Sequence, residues 1–263
     1  MRIYYWQRMT TAEIVDVAAT HAVALLPLAA IEQHGAHLPL DTDVVVGEAI
    51  VTHALGEIES DRADDSVSVI VLPTQSMGAS VEHANFSGTL TLSSETAMAT
   101  IEALGQSVRQ AGIERLVVFN SHGGNTAVLD AAALNLRAYH GLHVIKATYF
   151  RFGTPDAVDD FDELAQDLHA GALETSMMLH IAPDAVRRDH IPPSTRSRHA
   201  PASQWVAPEG RAAYAWLAED FGDDGIAGEP ARADGDIGRQ LVAYFGGCLA
   251  AVIRETADLQ LPR

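Results

Sequence analysis

Short apolar runs alternate with longer stretches of helical spacing through most of this chain, and that alternation constrains the fold more than any other feature. Ala22–Ile31, Val67–Pro73, Arg115–Asn120 and Leu142–Phe150 read as strands. Between them, Val44–Ile58, Ser93–Ala111 and Asn125–Tyr139 read as helices, with Ser93 as a cap and Gly112 and Gly141 as stops. Strands separated by helices of this length pair in parallel, because a parallel neighbour can be reached only by a long crossover. Gly171–Ile181 reads as a short apolar helix stopping at Pro183. Ile237–Ala257 reads as a closing helix with Leu241, Phe245 and Leu249 at four-residue spacing. The expectation is one α/β sheet covered by helices on both faces, in a single domain spanning 1–263. Pro27 has no N–H to give a ladder, which suggests an edge or a bend in the first strand. Residues 153–167 and 191–208 read as loops.

Charge and cysteine content narrow the function classes. The chain carries 35 acidic against 17 basic residues, a formal net charge of −18. Phosphate backbones and anionic membranes would repel it, so neither a nucleic acid nor a membrane is expected as a partner. Cys248 is the sole cysteine, which excludes an intrachain disulfide and any Cys-built metal centre. Apolar runs such as Ala22–Ile31 fall far short of the roughly 20 residues that cross a bilayer. The first residues lack a signal-peptide pattern, so the cytoplasm is the expected location. A dinucleotide-binding fold would place Gly-x-Gly-x-x-Gly after the first strand, and this chain has none there.

The residues that follow the strands are instead rich in imidazole and carboxylate. Ligands of open parallel sheets bind outside the carboxyl ends of the strands. Glu32-Gln-His34-Gly-Ala-His37-Leu-Pro-Leu-Asp41-Thr-Asp43 follows the first strand and Asn120-Ser-His122-Gly-Gly-Asn125 the third. Gly78-Ala-Ser-Val-Glu82-His83-Ala-Asn85-Phe-Ser-Gly88-Thr89 follows the second. His169-Ala-Gly-Ala-Leu-Glu174-Thr175 opens the short helix. A hydrolytic metal centre needs such donors from several segments, because one loop rarely encloses a cation. Glu32, His34, Asp43, His122, His169 and Glu174 form an oxygen-rich mixed set that suits Zn, Mn or Fe. Each also has an ordinary structural reading. Asp43 can cap a helix, Glu174 can complement a helix N-terminus, and a loop histidine is usually just hydrogen-bonded. Their clustering at one predicted sheet edge favours a site. His53, His140 and His180 lie inside helical patterns and read as structural.

Residues 32–43, 120–125 and 169–176 together resemble the creatininase (creatinine amidohydrolase) family. Glu82-His83-Ala-Asn-Phe-Ser-Gly-Thr89 is similar to that family's His-x-x-Phe-Pro-Gly-Thr loop, with Ser87 in place of proline. The resemblance spans about the first two-thirds of the chain, with Gly225–Pro230 and the closing helix matching loosely. It implies a three-layer α/β/α fold with a mostly parallel central sheet, two divalent metals per chain, a small-molecule substrate and a homo-oligomer, often a hexamer. By position, Glu32, Asp43 and His122 match one metal's ligands, His34 and Asp43 match the second's, and His169 matches the acid/base histidine. The resemblance thereby implies hydrolysis of an amide, formamide or cyclic amide C–N bond, the metals activating water and His169 carrying a proton to the leaving nitrogen.

Departures sharpen the comparison. Gly124 stands where creatininase has a glutamate ligand, Leu168 where a carboxylate precedes the histidine, and Gly123, Phe150 and Ala165 where aromatic residues enclose creatinine. The Asn-x-His-Gly-Gly-Asn form resembles another branch, which includes formamide hydrolases and the mycofactocin peptidase. There Glu174 is the expected replacement ligand. Hydrolysis of a cyclic ketone, a lactone or a short peptide on the same site remains open, as does a metal-binding scaffold without catalysis.

Overall fold

The computed structural model describes residues 1–60, 68–153, 155, 167–193, 205–209 and 211–260. Val67, Ala165 and most of the loops read at 153–167 and 191–208 lie outside the described residues. Five strands form one parallel sheet: β1 (Arg2–Tyr5), β2 (Val23–Leu28), β3 (Ser68–Val71), β4 (Arg115–Asn120) and β5 (His143–Thr148), in the order β1-β3-β2-β4-β5. Six α-helices are described: α1 (Thr11–Ala18), α2 (Thr42–Ser60), α3 (Ser94–Gln110), α4 (Asn125–His140), α5 (Ala172–Ile181) and α6 (Gly235–Asp258).

Strand alternation sorts the side chains into two cores. Val23, Leu25, Val117 and Phe119 pack with α2, α5 and α6 on one face. Ala24, Leu26, Leu28, Leu116 and Val118 pack with α1, α3 and α4 on the other. This is the layered α/β/α arrangement expected. From β2 the chain crosses towards β3, and from β4 it crosses the opposite way to β5. A crevice therefore opens at the carboxyl ends of β2 and β4, where open α/β sheets bind their ligands.

Three local readings need correction. Pro27 lies in the central strand and not at an edge. Its carbonyl accepts from Gln75 N at 2.9 Å on the side where β3 has already ended at Val71. The missing N–H thus costs no ladder bond, while pairing to β4 runs on to Leu28 and Asn120. β1 and α1 were not anticipated. β1 is a short, half-exposed edge, whereas α1 carries a readable capping box in which Thr10 N donates to Glu13 Oε2 at 2.7 Å. α6 is also longer than the run read from spacing. At 24 residues it is long and apolar enough to span a bilayer by length and composition. Its apolar stripe is nevertheless core: Leu241, Phe245, Leu249 and Ile253 are fully buried in the cluster that holds α2 and α5.

Candidate metal centre

Four segments meet at the crevice, and the local sequence explains how each arrives. After β2 the backbone stays extended to Ile31, which bridges Leu90, so Glu32 and His34 turn the same way. Gly35 then reverses the chain at φ +65°, a conformation that favours glycine. Glu32 N donates to Leu40 O at 3.0 Å and closes the loop, which returns Asp43 in the first turn of α2. After β4, Asn120 donates to His122 O at 2.7 Å and accepts from His122 N at 3.2 Å, fixing a tight turn. Asn125 joins three loops by accepting from Ala79 N at 2.9 Å and donating to Ala29 O and to Asn120 Oδ1. At the fourth segment Ala170 has φ +53°, strained for a residue with a Cβ, and its N–H donates to Glu174 Oε2 at 2.7 Å.

The side chains converge closely. His122 Nδ1 lies 3.3 Å from both Glu32 Oε1 and Asp43 Oδ2. His34 Nε2 lies 3.4 Å from Asp43 Oδ1 and 3.7 Å from Glu174 Oε2. Donor atoms of Glu32, Asp43 and His122 fall within 4.8 Å of one another, and so do those of His34, Asp43 and Glu174. Asp43 belongs to both groups. Glu32, His34, Asp43, His122 and His169 are all buried. Yet both Glu32 oxygens, His34 Nε2 and Asp43 Oδ2 have no hydrogen-bond partner among the described residues. Buried carboxylate oxygens are costly unless paired, so this donor set fits divalent cations.

Backbone carbonyls set the tautomers. His34 Nδ1 donates to Glu32 O at 3.1 Å, His122 Nε2 to Ala79 O at 2.9 Å, and His169 Nε2 to Gln33 O at 2.7 Å. Each ring therefore turns its other nitrogen, as a lone pair when neutral, into the site. Electrostatics divides these rings. Burial opposes charge on His34, but Asp43, Glu174 and Glu32 outweigh it and hold His34 at about 10. Burial is likewise overcome at His122, which Glu32 and Asp43 raise well above the usual histidine value. Burial and the neighbouring His34 push His169 well below it. Burial lifts Glu174 to about 7 against the pull of His34. Burial would also raise Asp43, yet His34 and His122 keep it below the ordinary carboxylate range. Acids that hold protons on adjacent rings will hold a metal cation in their place.

A family model described as creatinine amidohydrolase matches residues 7–253. The chain belongs to the creatininase family. Its relatives include the mycofactocin precursor peptide peptidase of Mycolicibacterium smegmatis, 32% identical over 90% of this chain and 86% of that one. The creatinine amidohydrolase of Pseudomonas putida is 30% identical over 68% of this chain and 73% of that one. Of the solved structures, a creatinine amidohydrolase superposes with a TM-score of 0.78 at 22% identity, covering 97% of this chain and 98% of that one. A manganese form of creatininase gives 0.74 at 24% identity, covering 97% and 98%. At these identities the structures bear on the fold alone. The chain is thus a hydrolase-family enzyme, and the peptidase relatives agree with the Asn-x-His-Gly-Gly-Asn branch read from residues 120–125.

Within this creatininase-family site, the departures noted in the sequence acquire physical content. A Cβ at Gly124 would lie 2.3 Å from Glu82 Oε1, 2.4 Å from Ala79 O and 2.5 Å from His122 Nε2. No side chain fits there: Glu82 could swing away, but the Ala79 carbonyl is backbone and is itself tied to His122 Nε2. Glu174 stands beside His34 and Asp43 instead, and it also meets the helix-terminus role through Ala170 N. Leu168 supplies no carboxylate. His169 is oriented by Gln33 O and by backbone bonds with Ala227, through Ala227 N to His169 O at 2.9 Å and back at 3.1 Å. His53, half exposed beside Glu57, and the outlying His140 and His180 stay apart from the site.

Residues that sequence reasoning left out of the site include Glu82, His83, Gln33, Tyr149 and Trp216. His83 is buried, 3.5 Å from Glu32 Oε1, with its ring 4.2 Å from that of His169. The Glu82-His83 pair was visible in the loop after the second strand, but it has no ligand spacing of its own. Tyr149 donates to Glu174 Oε1 at 3.4 Å, and the Trp216 ring meets His83 edge-on at 6.3 Å.

Proposed function

We propose that this enzyme hydrolyses the C–N bond of an amide, formamide or cyclic amide in a small molecule, with two divalent cations held by the paired donor groups. Glu32, Asp43 and His122 would hold one ion, and His34, Asp43 and Glu174 the other, Asp43 serving both. Divalent ions so held supply Lewis acidity, which polarises a carbonyl and makes water a better nucleophile. The observation that carries this reading is the set of buried, unpartnered oxygens on Glu32 and Asp43 facing the Nδ1 atoms of His122 and His169.

His169 has the geometry of a proton carrier. Its Nε2–H is tied to Gln33 O, and its Nδ1 faces the site 3.5 Å from Glu32 Oε1. Kept neutral by burial, Nδ1 can accept a proton from the nucleophile and release it to the leaving nitrogen. A pocket closing on creatinine is not supported, since Gly123 leaves open space where that family member has an aromatic ring. Cleavage of a short peptide is the second reading. It is favoured by the relatives named as peptide peptidases and by the same open position.

Zinc- or manganese-loaded enzyme, assayed against N-formyl compounds, small lactams and short peptides, tests both readings. Turnover of formamides or lactams supports the first, turnover restricted to peptides supports the second, and inertness toward all three rejects both.

A further inference from the structure

Glu82-His83 contributes a buried histidine that the hydrolytic reading does not use, and its surroundings define its protonation. Gln33 Oε1 accepts from Gly35 N at 2.8 Å, and Gln33 Nε2 donates to Gly225 O at 3.1 Å. Flipping the amide would oppose two donors at Gly35 and two acceptors at Gly225, so its orientation is fixed. The remaining Nε2 hydrogen points to His83 Nδ1 at 3.0 Å. His83 Nδ1 must therefore accept, and the ring proton of the neutral imidazole sits on Nε2. That nitrogen faces Glu32 Oε1 at 3.5 Å.

The arrangement is the reverse of its neighbours. His34, His122 and His169 each give their N–H to a backbone carbonyl and turn the other nitrogen inward. With all four rings neutral, His83 alone turns an N–H inward. It stacks on His169, and Trp216, packed on Phe221, closes its outer side. Asn85 fastens the Trp216 segment by donating to Glu219 Oε1 at 2.5 Å.

We propose that His83 is a positioning residue, a neutral imidazole whose tautomer Gln33 dictates and whose Nε2–H orients the Glu32 carboxylate. Glu32 Oε1 is the point on which His122 Nδ1 and His169 Nδ1 also converge. When His122 and His169 are neutral, those two nitrogens face it as lone pairs. That leaves His83 Nε2–H, 3.5 Å away, as the N–H directed at an oxygen that has no hydrogen-bond partner among the described residues. With Oε1 held, Glu32 keeps its aim toward a cation and His169 Nδ1 stays free for proton transfer. The inference rests on the metal-hydrolase reading only for its consequence, since the tautomer follows from the protein's own hydrogen bonds.

Imidazole ¹⁵N spectra of the full-length protein, with and without zinc, read the tautomer directly, and His83→Gln identifies the His83 signals. The expected result is a protonated Nε2 and a bare Nδ1 at neutral pH. Gln33→Glu, which replaces the donor by an acceptor, should move a proton onto Nδ1. Zinc titration should show His83→Ala binding about 10–100-fold more weakly, the usual cost of losing an outer partner of a ligand. His83→Gln, whose amide can return an N–H near the same place, should recover much of that loss. A wild-type Nδ1 that carries the proton, or His83→Ala that binds zinc as tightly as wild type, would overturn the proposal. If His83→Ala does not fold, the Gln33→Glu spectrum decides. A wild-type chain that binds no zinc would refute the metal reading while leaving the tautomer result to stand or fall separately.

Discussion

The two donor groups that share Asp43 are built on different foundations. Glu32 and His122 leave the ends of adjacent central strands within a few residues, and Asn120 and Asn125 brace their loops. His34 leaves the same loop as Glu32, but Glu174 depends on a strained turn at Ala170 and on the start of α5. Glu174 also divides its carboxylate between Ala170 N and Tyr149. Burial lifts it to about 7, so near neutral pH it competes with its own proton for a cation. The first group is a property of the segments that leave the sheet, and the second adds to them one ligand, Glu174, that α5 must bring up. A tighter first ion and a weaker second one follow.

Asp43→Asn should have the largest effect, because it removes the shared carboxylate; both ions and all turnover should be lost by elemental analysis and assay. His169→Ala should retain both ions and slow turnover by about 10²–10⁴-fold, the usual worth of a general acid/base. Unchanged turnover would remove His169 from that role. Glu174→Gln should separate the two groups by abolishing the weaker binding phase and sparing the tighter one. An equal loss in both phases would erase the distinction drawn between them.

Proton linkage refines the same comparison. His34 and His122 have raised values without a metal and must shed their protons to ligate one. Apparent metal affinity should therefore rise with pH through neutrality, with proton release seen by calorimetry in buffers of different ionisation enthalpy. The smallest effect concerns Asp167, which accepts from Leu173 N at 2.7 Å at the head of α5. Burial raises it to about 7 from an ordinary 3.8. A raised acid favours the protonated folded state, so its contribution is full below about pH 4 and is lost as pH rises through about 7. Asp167→Asn should flatten that part of the melting-temperature profile.

Local pattern made much of this legible, and the limits were physical. Apolar runs and helix stops located four sheet strands, because parallel strands buried on both faces need continuous apolar sequence. β1 escaped that test as a four-residue edge with exposed ends. Pro27 misled because its tolerance depends on where a neighbouring strand stops. Glu32, His34, Asp43, His122, His169 and Glu174 were readable as clusters after strands. Gln33 and His83 stand in the same clusters, but their roles were not readable, since they rest on contacts 50 and 192 residues apart in sequence, from Gln33 to His83 and to Gly225.

Metal content per chain, measured by elemental analysis after zinc or manganese saturation and gel filtration, tests the paired-site account most directly. The account predicts about two ions in the wild type, one remaining in Glu174→Gln and none in Asp43→Asn. A wild type that holds one ion or none, or a Glu174→Gln variant that retains both, would contradict it.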